Sequence, residues 1–244
     1  MQTQHWFYAA WPFIGIGGAI VMFVILLATD LFRASPAVSR WRDTEWLAWL
    51  AVPFYWVHQF EEYSLPTIGL PYSIQEMICN KIGFPPYPEC PIPLAFYPVV
   101  NIALMWFGAP LAAYLFRRNV LVGLSFWGLL FANGFVHTFG GIAEGAYNTG
   151  LWSALVLFIP FSIWVIYVGT IRGPYSGKVV GVAYACGAVT HAFLFMGYGL
   201  YKGGVFGDAG LLAYAVLVGF MPIILAAIVS KFFKAESLRP VQAR

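Results

Sequence analysis

Apolar residues run along this chain in long blocks, separated by short clusters of basic, acidic, glycine and proline residues. An α-helix crossing the hydrocarbon core of a bilayer needs about 20 predominantly apolar residues. Seven blocks come close to that length, roughly 11–32, 46–63, 94–116, 120–140, 150–171, 179–201 and 209–232. The pattern predicts an all-α fold: a polytopic membrane helix bundle of about seven transmembrane helices, forming one domain over residues 1–244. The second block is the least apolar. His58, Glu61 and Glu62 occupy its last two turns, where an ionisable side chain is tolerated only if it faces protein or water. It is retained as a span because without it the basic connections would fall on both sides of the membrane.

With seven spans, eleven of the thirteen Lys and Arg residues, from Arg33 to Arg244, lie on one side, and only Lys81 and Lys202 lie on the other. Positive charge marks the cytoplasmic side. The N-terminus is therefore expected outside and the C-terminus in the cytoplasm, with the second, fourth and sixth spans running outward. No Lys or Arg precedes the first block, so it is read as a retained helix and not as a cleaved leader. One outer connection, 64–93, is long and rich in proline. Residues 73–82 (SIQEMICNKI) read as a short amphipathic helix in the interface, and the whole connection as a surface loop or a lid over an outer cavity. Cys79 and Cys90 both lie in it, on what would be the oxidising side of a bacterial inner membrane, where a disulfide between them can form. Cys186, inside the sixth span, is expected to be a small packing residue.

Composition excludes a soluble chain. Residues are 61% hydrophobic and only 9% charged, against about 25% charged in ordinary globular domains. A cytosolic enzyme, a disordered tail and a nucleic-acid-binding domain each need more charge than this. The expected partners are the lipid bilayer and an apolar small-molecule substrate, with a homo-oligomer allowed and no nucleic acid. The expected location is a bacterial inner (plasma) membrane, spanned many times. Most of the aromatic side chains are assigned to lipid-facing bulk and interfacial belts.

Scarcity of charge narrows the search for chemistry. Ionisable groups inside spans are functional candidates by default, and here they are His58, Glu61 and Glu62 in the second span, His137 in the fourth and His191 in the sixth. The three spans run in the same direction, so the three histidines fall at overlapping depths. Asn101 on the third span and Asn133 on the fourth reach a similar level. His58 and Glu62 are four residues apart, and His58 and Glu61 three apart, so either carboxylate can share a helix face with the imidazole. Bundle metal sites use this spacing. His58, Glu62, His137 and His191 together would suit zinc or iron, with Glu61 as the base that takes a proton from bound water. The plainer explanation of a single intramembrane histidine is packing with its nitrogens hydrogen-bonded across helices; three at one depth beside two carboxylates weaken it. Glu144, just past the fourth span, reads equally as a solvated loop carboxylate. Asn148 reads as the N-cap of the fifth span.

The string His58-Gln-Phe-Glu61-Glu62-Tyr63, followed by Pro66, then Asn101, Asn133-Gly-Phe-Val-His137 and Tyr147-Asn148-Thr-Gly150-Leu151, resembles the bacterial integral membrane proteins named for their HXXEE motif. The resemblance implies that His58, Glu61, Glu62, Asn101, His137, Tyr147 and Asn148 form a shared site, and it implies no activity. His191 lies outside it. A two-residue similarity, His58 with Glu62 four residues on, links the chain to sterol-isomerase membrane enzymes, which move protons on apolar substrates without a metal.

Three functions are consistent with these residues. The first is a metal-dependent hydrolase or oxidoreductase acting on a lipid-like or isoprenoid substrate from the outer half of the bilayer, with Asn101, Asn133, Tyr147 and Asn148 orienting substrate or ligands. The second is a metal-free acid/base isomerase or cyclase using Glu61, Glu62, His58 and His137. The third is a proton- or metal-coupled transporter. It is disfavoured because the polar groups cluster at one level, while only Asp30, Ser125 and Thr190 continue inward.

Overall fold

The computed structural model describes residues 6–64 and 74–234. Over these the chain forms eight helices and no strand. They are α1 (Trp6–Ala28), α2 (Thr44–Ser64), α3 (Ile74–Ile82), α4 (Phe96–Leu115), α5 (Val120–Glu144), α6 (Leu151–Thr170), α7 (Gly177–Lys202) and α8 (Asp208–Ser230). α4 and α6 each contain a π-helical stretch, Ile102–Gly108 and Ala154–Phe158. Local signals set several ends. Asn119 caps α5 by accepting the Leu121 N–H at 3.0 Å, and Ser176 caps α7 through the Val179 N–H. Gly145, with a φ of 60°, closes α5 in the left-handed conformation that glycine reaches without strain.

α1 and α4 to α8 are each long and apolar enough to cross a membrane, which makes the chain a multi-pass membrane protein. α2, expected as a seventh span, has the length, about 32 Å at 1.5 Å per residue, but not the apolar composition. Its surroundings explain this. Fifteen of its 21 residues are buried, against α1, α4, α5 and α6, so protein and not lipid solvates its polar groups. α5 is the other central helix. The fully buried indoles of Trp46 and Trp127 donate to the carbonyls of Leu26 and Leu47, each at 2.8 Å, so no polar atom of either ring is left unpaired in the core.

The two ends of the bundle differ in chemistry. At one, Arg117 pairs with Glu45 at 2.7 Å, and Asp43 accepts the Ala34 N–H at 2.8 Å. At the other, Lys81 pairs with Glu144 at 3.3 Å, and α3 is joined by a Cys79–Cys90 disulfide to the proline-rich segment before α4. The helix expected over 73–82 is α3; Pro66 and the rest of 65–73 lie outside the described residues, as do Arg239 and Arg244. Cys186 is buried and free.

α5 and α7 run against each other along their N-terminal halves at backbone contact. A Cβ on Gly128 would stand 2.2 Å from the Tyr184 carbonyl oxygen, and one on Gly187 would stand 1.9 Å from that of Ser125. Gly187→Val should therefore force the helices apart and cost more than about 3 kcal/mol or prevent assembly. Gly181→Val, on the same helix with nothing within 4 Å, should be nearly neutral. Thermal melts of both variants in detergent check this, and equal melting temperatures would contradict the close packing.

Candidate functional site

α2 presents His58 and Glu62 one turn apart on one face, and α5 brings His137 to the same level. All three are buried, His58 at 0% exposure. Glu62 Oε1 lies 3.3 Å from His58 Nε2 and 3.1 Å from His137 Nε2. One donor atom from each residue lies within 4.8 Å of the other two, and among the described residues this is the one group of three or more His, Cys, Asp or Glu side chains with that property.

The far ring nitrogens fix where the imidazole hydrogens sit. His137 Nδ1 is 2.9 Å from Asn148 Oδ1, which has no hydrogen to give, so Nδ1 donates. The amide of Asn148 is oriented by its Nδ2, which donates to Met77 Sδ at 3.1 Å. His58 Nδ1 is 2.7 Å from Ser153 Oγ, and the single hydrogen of that hydroxyl is directed at Glu61 Oε2, 2.5 Å away. The hydroxyl therefore accepts from His58 Nδ1. With Nδ1 donating on both rings, Nε2 of each is the atom turned onto Glu62 Oε1, as a lone pair on a neutral ring and as an N–H on a protonated one. His58 Nε2 makes no hydrogen bond there. Neutral rings and the carboxylate would be three acceptors facing one another in a buried place, an arrangement that a cation among them would relieve.

The donor set fits a metal. Ligand atoms about 2.0–2.1 Å from a tetrahedral zinc lie roughly 3.3 Å apart, close to the 3.1 and 3.3 Å found here. The same two imidazoles and one carboxylate also suit iron with open positions. Hydrogen bonds from Nδ1 to Asn148 and Ser153 are the outer-shell contacts that hold ligating imidazoles in orientation.

Glu61 has a different task from the one the spacing suggests. It stands about 100° round the helix from Glu62 and faces α6. Its Oε1 accepts the Trp152 N–H at 2.9 Å and the Tyr147 hydroxyl; its Oε2 accepts the Ser153 N–H at 2.9 Å and the Ser153 hydroxyl. Four donors occupy the two oxygens, so the expected role of taking a proton from bound water is not open to it. The carboxylate instead holds the N-terminus of α6, where unpaired N–H groups and the helix dipole favour negative charge. Burial and the neighbouring Glu61 push the Tyr147 hydroxyl pKa up. The N-cap reading of Asn148 is also corrected: its side chain serves His137, and Glu61 does the capping.

Gly150 separates the two imidazoles. Its φ of 93° suits glycine, and a Cβ there would come within 2.7 Å of Cε1 of both His58 and His137.

Glu62 and His137 form the floor of a cavity of about 110 Å³, whose walls also include Asn101, Asn133 and His191 and whose roof is α3. Asn101 is tied in, donating to the Tyr63 hydroxyl at 3.0 Å and accepting from Gln59 Nε2 at 3.1 Å. Asn133 Oδ1 and His191 Nδ1 are buried without partners. His191 was expected among the metal ligands, but it stands on the cavity wall outside the group of three, because no ring nitrogen of it comes within 4.8 Å of all the others' donor atoms. Tyr147 is half exposed, and Glu144 is an exposed partner of Lys81. Sequence reasoning missed Ser153, Gln59 and Gly150. A small polar residue inside the first turn of the fifth span was the available signal for Ser153; for Gly150 it was a glycine next to polar residues at the span's start.

The sequence model of the family described as "Protein of unknown function with HXXEE motif" matches residues 49–165. No curated protein and no solved structure matches the chain. The matched stretch contains His58, Glu62 and His137 together with Glu61, Asn148 and Ser153, while His191 falls beyond it.

Glu61→Gln replaces one acceptor oxygen by an NH2 group that faces N–H donors. With charge-assisted hydrogen bonds worth about 1.5–3 kcal/mol, the variant should melt measurably lower in detergent than wild type, and an unchanged melting temperature would count against the capping role.

Proposed function

We propose that this chain, whose residues 49–165 match the HXXEE family model, is a membrane-embedded, metal-dependent enzyme acting on a lipid-like substrate. The observation that carries this reading is the convergence of His58 Nε2 and His137 Nε2 on one carboxylate oxygen, with His58 Nε2 left without a hydrogen bond. A cation held by His58, Glu62 and His137 would satisfy all three atoms at once. A zinc or iron ion held by three protein ligands keeps a position open for water or substrate, and supplies Lewis acidity and a low-pKa water. Zinc would mean a hydrolase and iron an oxidoreductase.

The rest of the site supports substrate handling. Asn148 and Ser153 hold the imidazoles, Glu61 holds Ser153, and Asn101 is fixed by Gln59 and Tyr63 at the cavity wall. The cavity is mainly apolar, as a site for an aliphatic or isoprenoid group would be. α2 is read as a seventh span, with the N-terminus outside and the Arg-rich end, at Arg33, Arg40 and Arg117, in the cytoplasm of a bacterial cell. The disulfide at the opposite end agrees with an oxidising outer side.

Detergent-purified protein is expected to hold about one equivalent of zinc or iron by elemental analysis. His58→Ala, Glu62→Gln and His137→Ala should each lose it. Gly150→Ala, which removes no ligand, should also lose it by displacing both imidazoles. Less than a tenth of an equivalent of any transition metal in folded wild-type protein would sink the reading. Proton or metal flux into proteoliposomes that disappears in Glu62→Gln would replace it with a transporter.

A further inference from the structure

Beyond the contact at Gly128 and Gly187, α5 lines the cavity with Asn133, Val136 and His137, and α7 lines it with His191, Leu194 and Phe195. Two of its wall residues, Val136 on α5 and Phe195 on α7, are also exposed on the outside of the bundle, at 38% and 51%. Both belong to apolar spans, so what they face outside is hydrocarbon. The cavity thus communicates with the bilayer through a seam whose rim is apolar, whereas Lys81 and α3 close it toward water.

Inside the seam, each of the two helices contributes one buried polar atom with nothing to bind. Asn133 Oδ1 requires a donor, and His191 Nδ1 has no partner. Neither belongs to the group of His58, Glu62 and His137. An unmade hydrogen bond at a buried acceptor costs about 1–3 kcal/mol. Both residues line the same cavity, and a hydroxyl placed between them would donate to Asn133 and accept from His191 when that ring carries its hydrogen on Nδ1.

We infer that the seam between α5 and α7 is a lateral entry for a single-chain aliphatic alcohol from the bilayer, its hydroxyl held between Asn133 and His191 and its chain passing out between Val136 and Phe195. The hydroxyl then sits on the wall of the cavity whose floor is Glu62 and His137. This deepens the proposed function and rests on it only for calling the alcohol a substrate.

The test uses the full chain in phosphatidylcholine nanodiscs with a hexadecanol probe bearing a mid-chain diazirine and a terminal alkyne. A matched probe lacking the hydroxyl serves as comparison. After irradiation, labelled peptides are mapped by mass spectrometry and metal is measured on the same sample. The label is expected on the outer halves of α5 and α7 and should be displaced by excess hexadecanol but not by hexadecane. Asn133→Leu combined with His191→Phe should weaken displacement about thirtyfold, for two net hydrogen bonds of about 1 kcal/mol each. Phe195→Trp, which fills the opening without touching either polar group, should remove the label. Equal labelling by the probe without a hydroxyl would overturn the inference, because water or bulk lipid then fills the seam. So would labelling as strong on the lipid face of α1 at Ile20 and Val24. Loss of the seam label with metal still bound overturns this inference alone; a retained label in protein without metal overturns the proposed enzyme and leaves the seam.

Discussion

The carboxylate of Glu61 set against the N-terminus of α6 is the contact on which the rest of the site depends. A helix start inside a membrane has no water to take its free N–H groups, and one negative side chain supplies what water would. The consequence travels outward in two steps. Ser153, with its N–H and hydroxyl both committed to Glu61, can only accept from His58. His58, with Nδ1 committed to Ser153, has only Nε2 left to present to Glu62. A stabilising interaction of the backbone thereby decides the chemistry of a side chain two contacts away.

The bundle makes such a chain affordable by giving α2 a solvent of protein. A helix carrying Glu45, His58, Gln59, Glu61 and Glu62 could not face lipid, and α1, α4, α5 and α6 enclose it. Each polar group on it meets a partner from a different helix: Arg117, Ser153, Asn101 and Trp106, α6, and His137. Polar residues on one buried helix therefore specify how the others stand around it, which apolar packing in lipid does weakly.

Much of this was legible in the sequence, and the limit has a physical form. Six apolar blocks read directly as helices, because length and composition are what a bilayer demands. The pairing of His58 with Glu62 followed from a separation of four residues on one helix. The division of labour between Glu61 and Glu62 was not legible: both lie within reach of His58 by spacing, and only the neighbours on α5 and α6 decide which one faces the cavity. The same holds for Asn148, whose position before an apolar run predicted a cap, and for His191, which lines the same cavity but stands outside the group of three. The resemblance to the HXXEE family gathered the right residues without their roles. The role of Gly150 was not legible, because it lies in the absence of atoms between two rings that are far apart in sequence.

The exposed edge of the cavity at Val136 and Phe195 carries a consequence for how the molecule is handled. Where Val136 and Phe195 form the edge of the cavity, the enclosure is completed by whatever surrounds the protein. In a bilayer that is acyl chain; in a micelle it is surfactant, often itself an alkyl chain bearing hydroxyls. The surrounding medium is then a structural component of the site, and its chain length and head group belong among the experimental variables along with pH and salt.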